Sequence, residues 1–471
     1  MLYEPSIWMI LPFVGLLLVI AFAPLVCPKF WGAHYPKISF AFAVITLCYY
    51  LFILPSPAKK TVLHTANEYI SFIALIGSLF VVSGGIHISV KGESKPGENT
   101  LFLLIGAVTA NLLGTTGASM LLIRPWIRMN KYRITAYHIV FFIFIVSNVG
   151  GCLTPIGDPP LFLGYLKGIP FWWVAEHCWQ QWAVAIGILL GIFYVIDRRN
   201  YLKAPEPVRE KIAEPSDEFK FKGIHNVIFL AMILGSVFIN DPPYVREIIM
   251  VLAAVGSYFS TNRKIYESNH FNFHPIIEVA VLFFGIFSTM MPALDWLRLH
   301  AGEFGKATPS LYFWTTGALS SFLDNAPTYL TFLSSVFGSV INPDVINQVQ
   351  HLIQTNGTDI SSVAEPVRQT FLALQKYHAS LLASGSVSVD EIEIAYLIGN
   401  AELNSFIVAI SVGAVFFGAC TYIGNGPNFM VKSIADQQKI NVPTFLGYIM
   451  KYTLPFLLPI FVIVWLIFFR K

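Results

Sequence analysis

Two stretches of this 471-residue chain put a carboxylate where an apolar sequence breaks its own helical pattern. The first, SNVGGCLTPIGDPPLFLGYL (147–166), sets Asp158 between a glycine-rich run and two prolines. The second, SSFLDNAPTYL (320–330), sets Asp324 and Asn325 ahead of Pro327. Asp before Pro is a helix-start signal, because Asp accepts from free amides and Pro is at ease in the first turn. A helix ending in glycines leaves carbonyls without intrahelical partners. Such carbonyls, the hydroxyls of Ser147 and Thr154, and a carboxylate are oxygen ligands suited to Na+. A carboxylate can also exchange that cation for a proton. Asp158 therefore has two readings, a helix cap or an ion ligand. A carboxylate in hydrocarbon costs ~2.5–3.5 kcal/mol on insertion scales, a cost an asparagine cap would avoid. Asp324 has the same pair of readings, an Asx turn before Pro327 or a site residue.

The elements that must position these groups belong to a membrane protein. The chain is 55% hydrophobic and 12% charged, against ~25% charged in typical soluble domains. Apolar runs recur at 7–26, 38–54, 69–89, 181–196 and 446–469, long enough to span a bilayer. The first lacks the basic start and cleavage site of a signal peptide. The five cysteines are scattered and suggest neither disulfides nor zinc. No HExxH, GxSxG or GxxxxGK[ST] motif is present, which leaves an intramembrane hydrolase or an ATP-driven pump without its parts.

Two more apolar segments, 101–123 and 309–337, carry polar centres with Gly or Pro. Each half is too short to span, which suits a re-entrant hairpin whose tip is surrounded by protein or water; the other reading is one broken helix that crosses fully. The first hairpin offers Thr115, Thr116 and Ser119 at its tip, and the second offers Asp324. Glu68 and Glu278 open corresponding spans, either at the membrane interface or in a proton relay. Glu402, in GNAELNSF, is a third relay candidate, placed deeper. His138 and His177 read as interfacial or internally satisfied residues.

The halves repeat. A shift of 208 lays Gly77 on Gly285 and LGTTGASMLL (113–122) on SFLDNAPTYL (321–330). A shift of 267 lays TPIGDPPLF (154–162) on TYIGNGPNF (421–429), pairing Asp158 with Asn425. Lysines and arginines concentrate at 124–133 and in the linker, which sets both on the cytoplasmic side with both termini outside. The terminal Arg470 and Lys471 go against this placement. The expected fold is an all-α polytopic membrane protein with two inverted-topology repeats, about ten transmembrane helices, two re-entrant hairpins and two broken helices. The repeats cover 1–196 and 224–471, joined by a cytoplasmic linker at 197–223, with 341–394 an extramembrane insertion.

SNVGGCLTPIGDPP, SFLDNAPTYL and FFGACTYIGNGPNF together resemble signatures of the ion transporter superfamily. That group includes NhaD-type sodium/proton antiporters, arsenite permeases and citrate or dicarboxylate carriers; this chain is most similar to a bacterial branch of antiporter or citrate-transporter-like proteins. The resemblance implies ion-coupled secondary transport in the bacterial inner membrane. It maps family sites onto Ser147, Asn148, Thr154, Gly157, Asp158, Asp324, Asn325, Thr421, Asn425 and Asn428. The first hairpin reads GTTGAS, without the acidic or asparagine tip of some branches, which leaves the substrate open.

The leading expectation is exchange of Na+ or Li+ for H+, with Asp158 and Asp324 as the Na+ candidates. Acids sit at both unwound sites, and no Lys or Arg lies inside the motifs. The alternative is cation-coupled transport of citrate or a dicarboxylate. No cofactor is expected beyond the coupling ions Na+ and H+. The expected partners are the lipid bilayer and a small ion or organic anion, with no nucleic acid; a homodimer is considered and left undecided.

Overall fold

The computed structural model describes residues 4–89, 94–206, 220–239, 242–355 and 363–470. Several of its helices begin where the sequence puts proline in a first turn, as in Pro28–Cys48, Pro57–Gly84, Pro96–Met129, Pro159–Leu166 and Pro309–Ser320. Among the described residues, seven helices are long and apolar enough to cross a membrane, by length and composition. The bent pair Val389–Gly399 and Asn404–Cys420, meeting at 103°, would make an eighth. The chain is an integral, multi-pass, all-α membrane protein. One small departure is an antiparallel ribbon in which His87–Ser89 pairs with Lys220–Lys222. Neither strand is long enough to show an alternating pattern in the sequence.

The broken segments occupy the centre. Every residue of Ala136–Ile145 after Ala136 is buried, as is every residue from Phe406 to Phe417. A helix that is apolar all round belongs inside a larger structure. The outer helices instead expose large apolar groups such as Val26, Phe52 and Phe259, each 80% accessible. Surfaces of that kind face lipid.

Two helical segments fold back beside these central helices. A straight 34-residue helix would be ~51 Å long, yet the two ends of Pro96–Met129 touch. The Ser94 amide donates to the Met129 carbonyl at 3.0 Å. Asn99 and Asn130 exchange side-chain hydrogen bonds at 2.7 and 3.1 Å, and Phe102 stacks on Trp126. The reversal falls at Gly114, whose φ is 74°. That conformation is open to glycine and strained for other residues. This segment therefore satisfies the length test for a span while beginning and ending at one end of the molecule. Pro309–Ser320 and Asn325–Val340 lie side by side in the same manner, tied by Tyr312 Oη to the hydroxyls of Ser335 and Ser339, both at 2.9 Å.

The base of the first folded-back pair is anchored on Asp197, which is fully buried. Its carboxylate accepts from Arg133 (Nη2 at 3.1 Å), Tyr137 (2.7 Å) and Asn99 (2.8 Å), and His138 Nε2 lies 3.2 Å away. The linker boundary expected at 197 thus falls inside a helix, because Phe171–Lys203 continues through Asp197 to Lys203. Residues 207–219 of that linker lie outside the described residues. The ribbon, the Arg133–Asp197 pair and the bonds from Asn269 to the Gly84 and Ile86 carbonyls bring several basic residues to one end of the molecule. The described part of the polar stretch after residue 341 is largely helical, as Pro343–Gln354, Glu365–Tyr377 and Ala379–Ser384.

Candidate functional site

Asp158 stands at the N-cap position of Pro159–Leu166 with extended backbone (φ −144°, ψ 144°), but its side chain makes no capping bond. Its partners come from three other segments. Thr115 Oγ1, one residue past the Gly114 reversal, donates to Oδ1 at 2.6 Å. Asn425 Nδ2, from the second broken helix, donates to the same oxygen at 3.1 Å. Asn325 Nδ2, at the tip of the second folded-back pair, donates to Oδ2 at 2.5 Å. Asp158 and Asn325 are fully buried, Thr115 and Asn425 nearly so.

The network continues outward. Asn425 Nδ2 lies 3.2 Å from both the Ser147 carbonyl and Asn148 Oδ1. Asn148 donates to Asn428 Oδ1 at 2.6 Å, and the hydroxyls of Ser147 and Ser119 meet at 2.7 Å. Asn428 in turn donates to the carbonyls of Gly418 and Thr421, within the second break. Among the described residues, no lysine or arginine bonds to any of these side chains. Among the described residues, none donates to the Asn325 Oδ1 atom, which is buried.

The two breaks are built alike. Thr154 Oγ1 donates to the Asn111 carbonyl and Thr421 Oγ1 to the Ser321 carbonyl, both at 2.6 Å. Each threonine hydroxyl also accepts the amide three residues on, from Gly157 and Gly424 at 3.1 Å. Gly151 and Gly157 approach so closely that a Cβ on Gly157 would overlap the Gly151 carbonyl oxygen. Gly418 and Gly424 repeat the arrangement, with a Cβ on Gly424 falling 2.7 Å from the Gly418 oxygen. Both pairs keep the 267-residue offset, since 418 − 151 and 424 − 157 both equal 267. The folded-back segments correspond at 321 − 111 = 210, not at the 208 of the sequence comparison. In this register Thr115 matches Asn325, and these are the two tip residues that bind Asp158.

The Thr115 amide donates to the Gly157 carbonyl at 2.7 Å, so protein rather than lipid satisfies the reversal. Sequence reasoning missed Asn111, which donates to the Ala107 and Gly150 carbonyls and accepts from the Leu153 amide. An asparagine in the middle of LIGAVTANLL was its signal.

Other candidates stand apart from this network. Asp324 is half-buried and accepts from the Ala326 amide at 3.0 Å, so it caps Asn325–Val340. Thr116 makes no bond to Asp158 and instead lines a mostly apolar cavity with Leu75, Leu79 and Phe162. Glu402, expected to be deep, is exposed in the bend between Val389–Gly399 and Asn404–Phe417, where its own amide bonds to Asn400 Oδ1. Glu278 is partly exposed, 3.8 Å from His274. Glu68 is buried, but in an ion cluster with Lys167 and His64. His138 is satisfied by Thr135 and Asp197, and His177 bonds to the Trp173 carbonyl.

A family model described as "Putative citrate transport" matches residues 3–469, nearly the whole chain. A search of the curated proteins found no match.

Proposed function

The chain belongs to this citrate-transport family, and from that premise we propose a secondary active transporter that exchanges Na+ or Li+ for H+ at the Asp158 carboxylate. One observation carries the reading. A fully buried carboxylate at a helix break caps nothing and is instead held by both folded-back tips and by the opposite broken helix. Buried carboxylates are costly and mark ion pathways in membranes. The orphaned Asn325 Oδ1 and the Thr115 hydroxyl supply further oxygens on the residues that hold it. A bound cation or a bound proton would each neutralise Asp158, which makes the two alternative occupants of one site.

The architecture that serves this is two inverted repeats, each with one re-entrant hairpin and one broken helix. The paired Thr154/Thr421 and Gly157/Gly424 contacts support the repeat. In this reading the basic end is cytoplasmic and the termini lie outside. Ten crossings result once short helices such as Asn226–Ser236 are included. The membrane is the bacterial inner membrane.

A second reading, cation-coupled citrate or dicarboxylate transport, is favoured by the family's description. Two half-helix starts, Pro159 and Gly426, also meet at the site, and helix N-termini attract anions. Everted vesicles from an antiporter-deficient host separate the two. Antiport predicts dissipation of ΔpH on adding Na+ or Li+ without citrate. Labelled citrate uptake with no cation-driven ΔpH change would establish the second reading and reject the first.

A further inference from the structure

At the end of the molecule opposite the basic residues, a second set of charges lies outside the Asp158 network. Lys167 follows the half-helix that Asp158 begins, eight residues long and so ~12 Å from end to end. Its ammonium lies 2.8 Å from Glu68 Oε1 and 3.1 Å from Asp390 Oδ2. Asp390 Oδ1 pairs with Arg298 at 2.5 Å, and Arg298 also pairs with Glu393. His64 completes the group, 3.3 Å from Glu68 and 3.6 Å from Asp390.

These residues come from four elements with two different jobs. Glu68 and Arg298 sit on the long helices Pro57–Gly84 and His274–His300, which pack together through the Phe72–Phe283 stack and the Tyr69 bond to the Ala280 carbonyl. Lys167 and Asp390 sit on the segments leading to the two breaks. Lys167 follows the first broken helix directly, and Val389–Gly399 bends into the second. The cluster therefore joins both site-bearing helices to one scaffold. The turn at Gly168 is pressed against Glu391, where a Cβ would come 2.9 Å from its side chain.

Under the cluster lies a cleft lined by Glu68, Arg298, Leu330, Ser334, Phe337 and Asp390. Leu330, Ser334 and Phe337 belong to the second folded-back arm, whose tip residue Asn325 holds Asp158. Leu330 is five residues from Asn325, or ~8 Å along the helix. The cleft thus follows that arm from the surface toward the site. His64, Glu68 and Asp390 place three donor atoms within 4.8 Å of one another, as a metal would need. The Lys167 ammonium already lies against both carboxylates, in the place a cation would take.

We infer that the cleft is the access route from the outer face to Asp158, and that Lys167–Asp390, braced by Arg298 and Glu68, is the ion-pair gate that closes it. Outward opening requires these pairs to part, because they bind both broken helices to the scaffold. The outer placement rests on the orientation proposed above; the gate itself does not depend on which cargo passes.

The test is thiol accessibility in the full-length protein in oriented vesicles. Cys27, Cys48, Cys152, Cys178 and Cys420 are replaced and Ser334→Cys is introduced. With the gate intact, a membrane-impermeant maleimide labels Ser334→Cys slowly from the outer face. Adding Asp390→Asn or Lys167→Gln raises the outer-face rate about fivefold or more, and Asp390→Glu restores the slow rate. Labelling at the parent rate in both neutral variants, or acceleration only from the basic face, overturns the proposal. Should Asp390→Asn fail to insert, Lys167→Gln alone decides. Labelling reads the gate without any cargo, so gate-sensitive labelling beside absent Na+/H+ exchange would reject the cargo assignment and keep the gate.

Discussion

Asp158 and Asn425 occupy corresponding positions at the start of the two half-helices, and they bond to each other at 3.1 Å rather than to the helices behind them. Two residues placed as caps have become a pair across the centre of the molecule. A single charge sits on that pair, and Asn425 supplies the donor. Asn425→Asp would set two carboxylates in contact, and such pairs hold a proton between them. Na+ would then have to displace a more firmly held proton. Cation-driven exchange in this variant is expected to set in at higher pH than in the parent. A pH profile of ΔpH dissipation checks this, and an unchanged or acid-shifted onset would contradict it.

Thr115 and Asn325 reach Asp158 from opposite tips, so each should matter to affinity more than to folding. A hydrogen bond to a charged group contributes ~1.5–3 kcal/mol. Thr115→Val keeps the shape and removes the hydroxyl, and its apparent KM for Na+ should rise about tenfold or more. Thr116→Val, facing the apolar cavity, should stay close to the parent. Equal KM changes in the two variants would remove Thr115 from the site.

The glycine pairs that let each broken helix close on itself give a stability prediction. Gly157→Ala drives a methyl into the Gly151 carbonyl. Such overpacking is expected to cost ~1–3 kcal/mol or more, because backbone cannot step aside. Among the described residues, Gly97→Ala meets nothing within 4 Å. Its stability should shift by no more than about 0.5 kcal/mol, as at an ordinary surface position. Thermal unfolding in detergent compares them, with a lower Tm for Gly157→Ala expected. Equal Tm values would mean that the break relaxes.

Asp197 organises the base of the first folded-back pair. Asp197→Asn leaves the Arg133 guanidinium buried without its counter-charge, and removing one partner of a buried pair costs ~3–5 kcal/mol. Folded yield and Tm should fall sharply. The double variant Arg133→Met/Asp197→Leu should recover part of the loss, because no uncompensated charge remains. A double variant less stable than Asp197→Asn would contradict that account.

Much of the architecture was legible because membrane sequences write their exceptions plainly. Glycines, prolines and acids stand out against apolar runs, and they drew attention to the stretches that hold Gly114, Asp158, Asp324 and Asn425. What stayed hidden depended on tertiary contact. Nothing in SFLDNAPTYL says that Asn325 rather than Asp324 turns toward Asp158; the structure gives Asp324 the cap and Asn325 the bond. The offset of 210 rather than 208 in the folded-back segments follows from which carbonyl each threonine reaches. Glu402 reads as deep in GNAELNSF, between Asn400 and Asn404, but a 103° bend carries it to the surface. The Lys167–Asp390 group draws on four distant segments, and no local pattern could have joined them.

In the proposed exchange, Na+ and H+ compete for the Asp158 carboxylate. Proton release on adding Na+ to the purified protein, followed in weakly buffered detergent solution, tests it without a membrane gradient. Saturable release is expected with Na+ and Li+, not with choline, and is lost in Asp158→Asn while Tm stays close to the parent. Release that persists in a folded Asp158→Asn protein would place the exchanging proton elsewhere and contradict the account.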